Sequence, residues 1–157
     1  MRLLFKPRYG KLSKRIFVIE AFFYLLMARL ALKRNSFLSL TGLFSSPLRK
    51  PELSGRPRRW AREEVQTAIF YVWRRFPWKP NCFHRALAAQ AMLRRRGVST
   101  TLYYGAATLP ERGLTGHVWV QDGPVGVVGH CPAQGFRVLA RFPEPSSSTG
   151  CADNCRL

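Results

Sequence analysis

From Ala61 to Phe76 the apolar residues Val65, Ala68, Ile69, Val72 and Phe76 recur at spacings of three and four, which predicts a helix. Glu63 and Glu64 then fall in its first turn, where the helix dipole favours anions. Pro77 and Pro80 cannot continue it, and Asn81 is a good N-cap for a second helix from Cys82 to Arg96. Phe83, Ala86, Leu87, Gln90 and Leu93 form one stripe of that helix, Arg94 to Arg96 occupy its last turn, and Gly97 follows. Beyond Gly97 the period changes to two: STTLYYGAA is β-rich, GHVWVQ and PVGVVG alternate, and FRVLARF reads as a last strand. Helices first and an antiparallel sheet second make an α+β fold. A two-residue turn at Asp122-Gly123 would set Gln121 opposite Pro124 and His117 opposite Val128, with His130 diagonal to His117.

The N-terminal third carries Ile16–Leu32, a nearly unbroken apolar run after Lys11, Lys14 and Arg15. It is short for a membrane span, and Glu20 and Arg29 stand about 180° apart at about 100° per residue. Charge on two sides predicts a helix buried in the protein or covered by a partner; an interfacial membrane helix is the other reading. Ser36 can cap a short helix carrying Phe37, Leu40 and Phe44, and SSPLRKPELSGRPRR has the composition of a linker. The division expected is a helical, basic N-terminal region and linker over 1–57, a catalytic-type domain over 58–145 and a flexible tail over 146–157.

With 157 residues, 46% hydrophobic and 13% aromatic, the chain has material for one core, which excludes wholesale disorder and fibrous repeats. Its net charge of +18 is concentrated at the N-terminus: residues 1–60 hold 14 Lys or Arg against 2 acids. Such a balance favours acidic partners, although 20 of the 26 basic residues are Arg and a coding bias would give the same count. The cysteines Cys82, Cys131, Cys151 and Cys155 lack the two close pairs a structural zinc site needs, so no metal and no cofactor is expected. Nor do they read as a disulfide framework in a chain with this much core; a cytoplasmic protein with Cys82 as a lone nucleophile is the expectation.

Cys82 opens a helix whose first amides point outward, where a thiolate feels the positive end of the dipole and an oxyanion finds donors. His117 opens an alternating strand. A thiol at a helix start with its base on a following strand is the arrangement of papain-like and transglutaminase-like sites, against the plainer reading of a buried cysteine and a half-buried strand histidine. His84, two residues after Cys82, falls about 200° round the helix and reads as a solvated or core-edge residue.

The run Pro80-Asn-Cys82-Phe-His-Arg85 through Gly97-Val98, followed by Gly116-His117-Val-Trp119-Val-Gln-Asp-Gly123, resembles the leader-processing cysteine protease of lasso-peptide biosynthesis over about residues 60–142. The helical region before it is similar to the split form, in which leader recognition resides in a separate small protein. The resemblance implies a transglutaminase-like, papain-type core with Cys82 as nucleophile and His117 as base. It implies a precursor (leader) peptide as substrate, a small leader-recognition protein, and an ATP-dependent asparagine-synthetase-like cyclase acting afterwards. The Asp that such enzymes place about a dozen positions past the histidine is absent, since that stretch reads Val128-Gly129-His130. His130 and Asp122 are the candidates for a third member, with a backbone carbonyl as the remaining way to orient the imidazole.

A competing class is a non-catalytic, basic nucleic-acid-binding or scaffold protein of the same fold. The basic residues are not interleaved with aromatics on a strand platform and no nucleic-acid-binding motif occurs, so no nucleic acid is expected as partner. Peripheral membrane contact through the N-terminal helix stays open.

Overall fold

The computed structural model describes residues 11–34, 53–110, 113–129 and 135–143. Three helices, α1 (Lys11–Arg34), α2 (Gly55–Arg75) and α3 (Cys82–Arg95), precede four strands, β1 (Thr101–Leu109), β2 (Gly113–Asp122), β3 (Val125–Val128) and β4 (Arg137–Phe142). The strands form one antiparallel sheet in the order β3-β2-β1-β4. The α+β expectation holds, and the helices cover one sheet face. The short helix predicted after Ser36 and the tail after SSSTG lie outside the described residues.

Half of α1 is internal. Phe17, Ala21, Leu25 and Ala28 are buried against α2 and α3. At about 100° per residue Glu20 and Arg29 flank this stripe, one on each side, which explains charge about 180° apart on a packed helix. Glu20 pairs with Arg96 just past the end of α3, and the Arg29 guanidinium lies 4.2 Å from the centre of the Trp78 ring. Among the described residues no helix is long and apolar enough to cross a membrane.

Helix α2 starts at Gly55 rather than Ala61, taking in the end of the predicted linker. Pro57 is tolerated there because first-turn amides have no intrahelical acceptor. Glu63 and Glu64 are therefore not in the first turn, which holds no acidic residue. The added turn has a tertiary cause: Arg58 donates to the buried Asp122 carboxylate through Nε (2.9 Å) and Nη2 (2.5 Å), and Arg62 donates to it at 2.9 Å. The start of α2 is thus tied to the end of β2. Helix α3 begins at Cys82 as predicted and ends beside Gly97, whose φ of 76° suits only glycine well.

On the sheet, Leu102, Val118 and Val120 are fully buried beneath the helices. The opposite face carries Tyr103, His117 and Trp119, with Tyr103 and Trp119 stacked at 5.5 Å. The predicted hairpin register needs correction. The turn is Gly123-Pro124, Asp122 faces Val125, Gln121 faces Gly126, and a bulge then sets Val120 opposite Val128. Gly123, with φ 58°, supplies the left-handed residue of this turn, and the bulge absorbs the extra residue of β3.

Candidate active site

Cys82 is the first residue of α3 and lies half-buried at the edge of the core. Its position depends on the cap before it. The Asn81 side chain accepts from the His84 amide, and the His84 imidazole closes the box by accepting at Nδ1 from the Asn81 backbone N–H at 3.3 Å. The sequence reading missed this role for His84, although histidine three residues after an asparagine cap is a variant of the capping-box spacing. Burial, and secondly the nearby Arg29 charge, hold the His84 imidazole below its usual pKa. The His84 amide is taken by the Asn81 cap, whereas the Cys82 amide has no acceptor within the helix and is the donor placed for a developing oxyanion.

His117 sits on β2 directly opposite Gly105 of β1. A side chain at Gly105 would come within 2.9 Å of both the Trp119 ring and the Arg137 carbonyl, so the glycine is what allows Trp119 to lie flat over β1. Trp119 in turn stacks on the His117 imidazole at 6.0 Å, and Phe136 approaches it at 5.4 Å. His117 Nε2 is 2.7 Å from the Gly129 carbonyl oxygen. A carbonyl only accepts, so Nε2 carries the proton, and in the neutral tautomer this leaves the lone pair at Nδ1.

A chain of ring contacts leads from the residue after Cys82 to the residue before His117. Phe83 meets Tyr104 at 6.0 Å, and the Tyr104 ring covers the helix-facing side of Gly116, next to His117. No hydrogen bond joins Cys82 to His117 among the described residues, and strand alternation turns the imidazole to the face away from the helices. Among the described residues no strand pairs with β2 at the level of His117 on the β3 side, because β3 pairs only with Val120 to Asp122. Gly129 crosses there instead: its φ is 72°, and a Cβ would fall 2.6 Å from the Val118 carbonyl.

Of the candidates for a third member, Asp122 is placed elsewhere. Its carboxylate is committed to Arg58 and Arg62, and it follows His117 by five strand positions on the other face. His130 lies outside the described residues. The group that does orient the imidazole is the Gly129 carbonyl. Its only trace in the sequence is a glycine interrupting an alternating strand, a mark of close backbone approach. Among the described residues no three His, Cys, Asp or Glu side chains gather as metal ligands.

Comparison with curated proteins and with solved structures finds no match. Residues 23–141, from within α1 to the last strand of the sheet, match the transglutaminase-like superfamily over well more than half of the chain, and the chain belongs to that superfamily.

Proposed function

We propose that the protein is a cysteine peptidase that removes the leader from a ribosomally made lasso-peptide precursor before macrolactam closure. The observation that carries the peptidase reading is a thiol on the first residue of a capped helix, followed along the chain by a strand imidazole whose Nε2 is held by a backbone carbonyl. The lasso-peptide substrate rests on the resemblance of the Pro80–Val98 and Gly116–Gly123 segments.

In this mechanism His117 Nδ1 takes the Cys82 proton and Sγ attacks the scissile carbonyl carbon. The Cys82 amide at the start of α3 stabilises the tetrahedral oxyanion. Collapse expels the core peptide's amine, which receives the proton from His117, and leaves the leader as a thioester on Cys82. Water, deprotonated by His117, hydrolyses the thioester and restores the thiol. The imidazole lies on the sheet face away from α3 and is hydrogen-bonded to Gly129, so proton transfer from Cys82 requires β2 itself to rearrange and bring His117 to the thiol. A carbonyl orienter fixes the tautomer but stabilises imidazolium less than a carboxylate does, so turnover is slow.

The test is leader removal followed by mass spectrometry, with the recognition protein present and absent. Cys82→Ala should abolish cleavage with an unchanged circular dichroism spectrum and urea midpoint. Cleavage by Cys82→Ala at the parental rate overturns the peptidase reading. Slow cleavage by the parent that does not rise on adding the recognition protein overturns the split arrangement.

A further inference from the structure

The outward face of α1 is apolar and, among the described residues, largely uncovered, although its Phe22 ring stacks on Phe76 at 4.9 Å. Ile16 (56%), Ile19 (68%), Phe22, Phe23, Met27 and Leu30 are all at least 45% exposed. At about 100° per residue they fill an arc of about 140° centred opposite the buried stripe. The strip runs for roughly 21 Å along the helix and exposes on the order of 500 Å², at the upper end for one patch on a monomer. Its two internal charges are turned aside, Glu20 to Arg96 and Arg29 to Trp78, leaving no charged side chain along it between Arg15 and Lys33.

Charge complementarity identifies the occupant. Lys14 and Arg15 are exposed at one end of the strip, and Lys33 and Arg34 at the other. They belong to an N-terminal region with 14 basic residues against 2 acids. A protein partner ordinarily supplies about one hydrogen bond per 100–200 Å² of interface. The strip offers little for such bonds, and a hydrocarbon boundary asks for none. Apolar side chains between clusters of cations fit a layer of acyl chains beneath anionic headgroups, and α1 is not long and apolar enough to pass through that layer.

We propose that α1 lies in the surface of an anionic phospholipid bilayer, its outward face in the acyl boundary and its terminal cations at the phosphates. Arg29 of the same helix packs on Trp78 in the segment leading to Cys82, so the docked chain holds its thiol close to the bilayer.

Co-sedimentation of the full chain with vesicles tests this. The parent should bind vesicles of three parts phosphatidylcholine to one part phosphatidylglycerol about tenfold or more tightly than pure phosphatidylcholine vesicles, and added salt should weaken binding. The double variant Ile19→Glu, Phe23→Glu should lose at least about tenfold in affinity while keeping the parental circular dichroism, because both side chains are exposed. If that variant fails to fold, the triple variant Arg15→Gln, Lys33→Gln, Arg34→Gln decides, by bringing binding of the two vesicle types to the same level. Three results overturn the proposal. The parent does not sediment with anionic vesicles; a folded Glu variant sediments like the parent; or the strip instead supports a dimer or a stoichiometric complex with the recognition protein, abolished by Ile19→Glu, with no vesicle binding.

Discussion

Asp122→Ala removes the acceptor that clasps α2 to the β2–β3 hairpin. The Asp122 side chain is 3% exposed and accepts three charge-assisted hydrogen bonds from Arg58 and Arg62, whose side chains are 27% and 18% exposed. Removing one partner of a buried ion pair costs about 3–5 kcal/mol, because the other charge is left uncompensated. Here both guanidiniums keep access to water, and Arg58 also donates to the Leu53 and Ser99 carbonyls, so the cost falls to about 2–3 kcal/mol. With a urea dependence of about 1–3 kcal/mol per molar, the unfolding midpoint should drop by about 0.7–3 M. Equilibrium urea unfolding followed by circular dichroism reads this directly. Thiol labelling below the transition should show Cys82 in the Asp122→Ala protein reacting as in the parent. A midpoint within measurement error of the parent refutes the clasp. Parental stability combined with lost turnover would place the carboxylate at His117 instead, against the observed register.

Gly105→Ala should destabilise by about 1–3 kcal/mol by overpacking, since its methyl meets the Trp119 ring and a backbone carbonyl at 2.9 Å, and leader cleavage should fall with it as the His117 stack shifts; an unchanged urea midpoint would contradict the packing. His84 is held below the usual 6.5 by burial and then by Arg29, so the fold favours its neutral form. Its contribution to stability is complete above the unfolded value and is lost as pH falls through the lower folded value. Stability of the parent should therefore decline on acidification more than that of His84→Gln, and parallel pH profiles would show that the cap is indifferent to protonation. Glu20→Gln should cost about 1–3 kcal/mol in thermal or urea unfolding, because the Arg96 guanidinium, 19% exposed, loses its counter-charge while still held over Phe17 at 4.1 Å.

The α3 cap and the α+β order were legible in the sequence because local rules govern them: an asparagine before a helical stripe, a glycine after it, then a change of period from 3.6 to 2; the same rules set Cys82 at a helix start and His117 on a strand, but not the sheet face on which the imidazole lies. Three features were decided only by tertiary structure. The extra N-terminal turns of α2 look like linker, with Gly55 and Pro57, and form because Asp122, sixty-four residues after Arg58, draws that arginine and Arg62 onto the sheet. The hairpin register depends on which residues of two neighbouring strands find partners. Asp-Gly favours a turn one position earlier, but seating Asp122 on the arginines moves it to Gly123-Pro124 and leaves a bulge. The imidazole's orienting group is a carbonyl of Gly129, and a backbone acceptor has no residue type to betray it. Periodicity in the sequence determined which faces are apolar, but α1 shows its limit: an apolar residue buried at Leu25 and one exposed at Phe23 read alike, because hydrophobicity says what a side chain avoids, and only the fold says which side is covered.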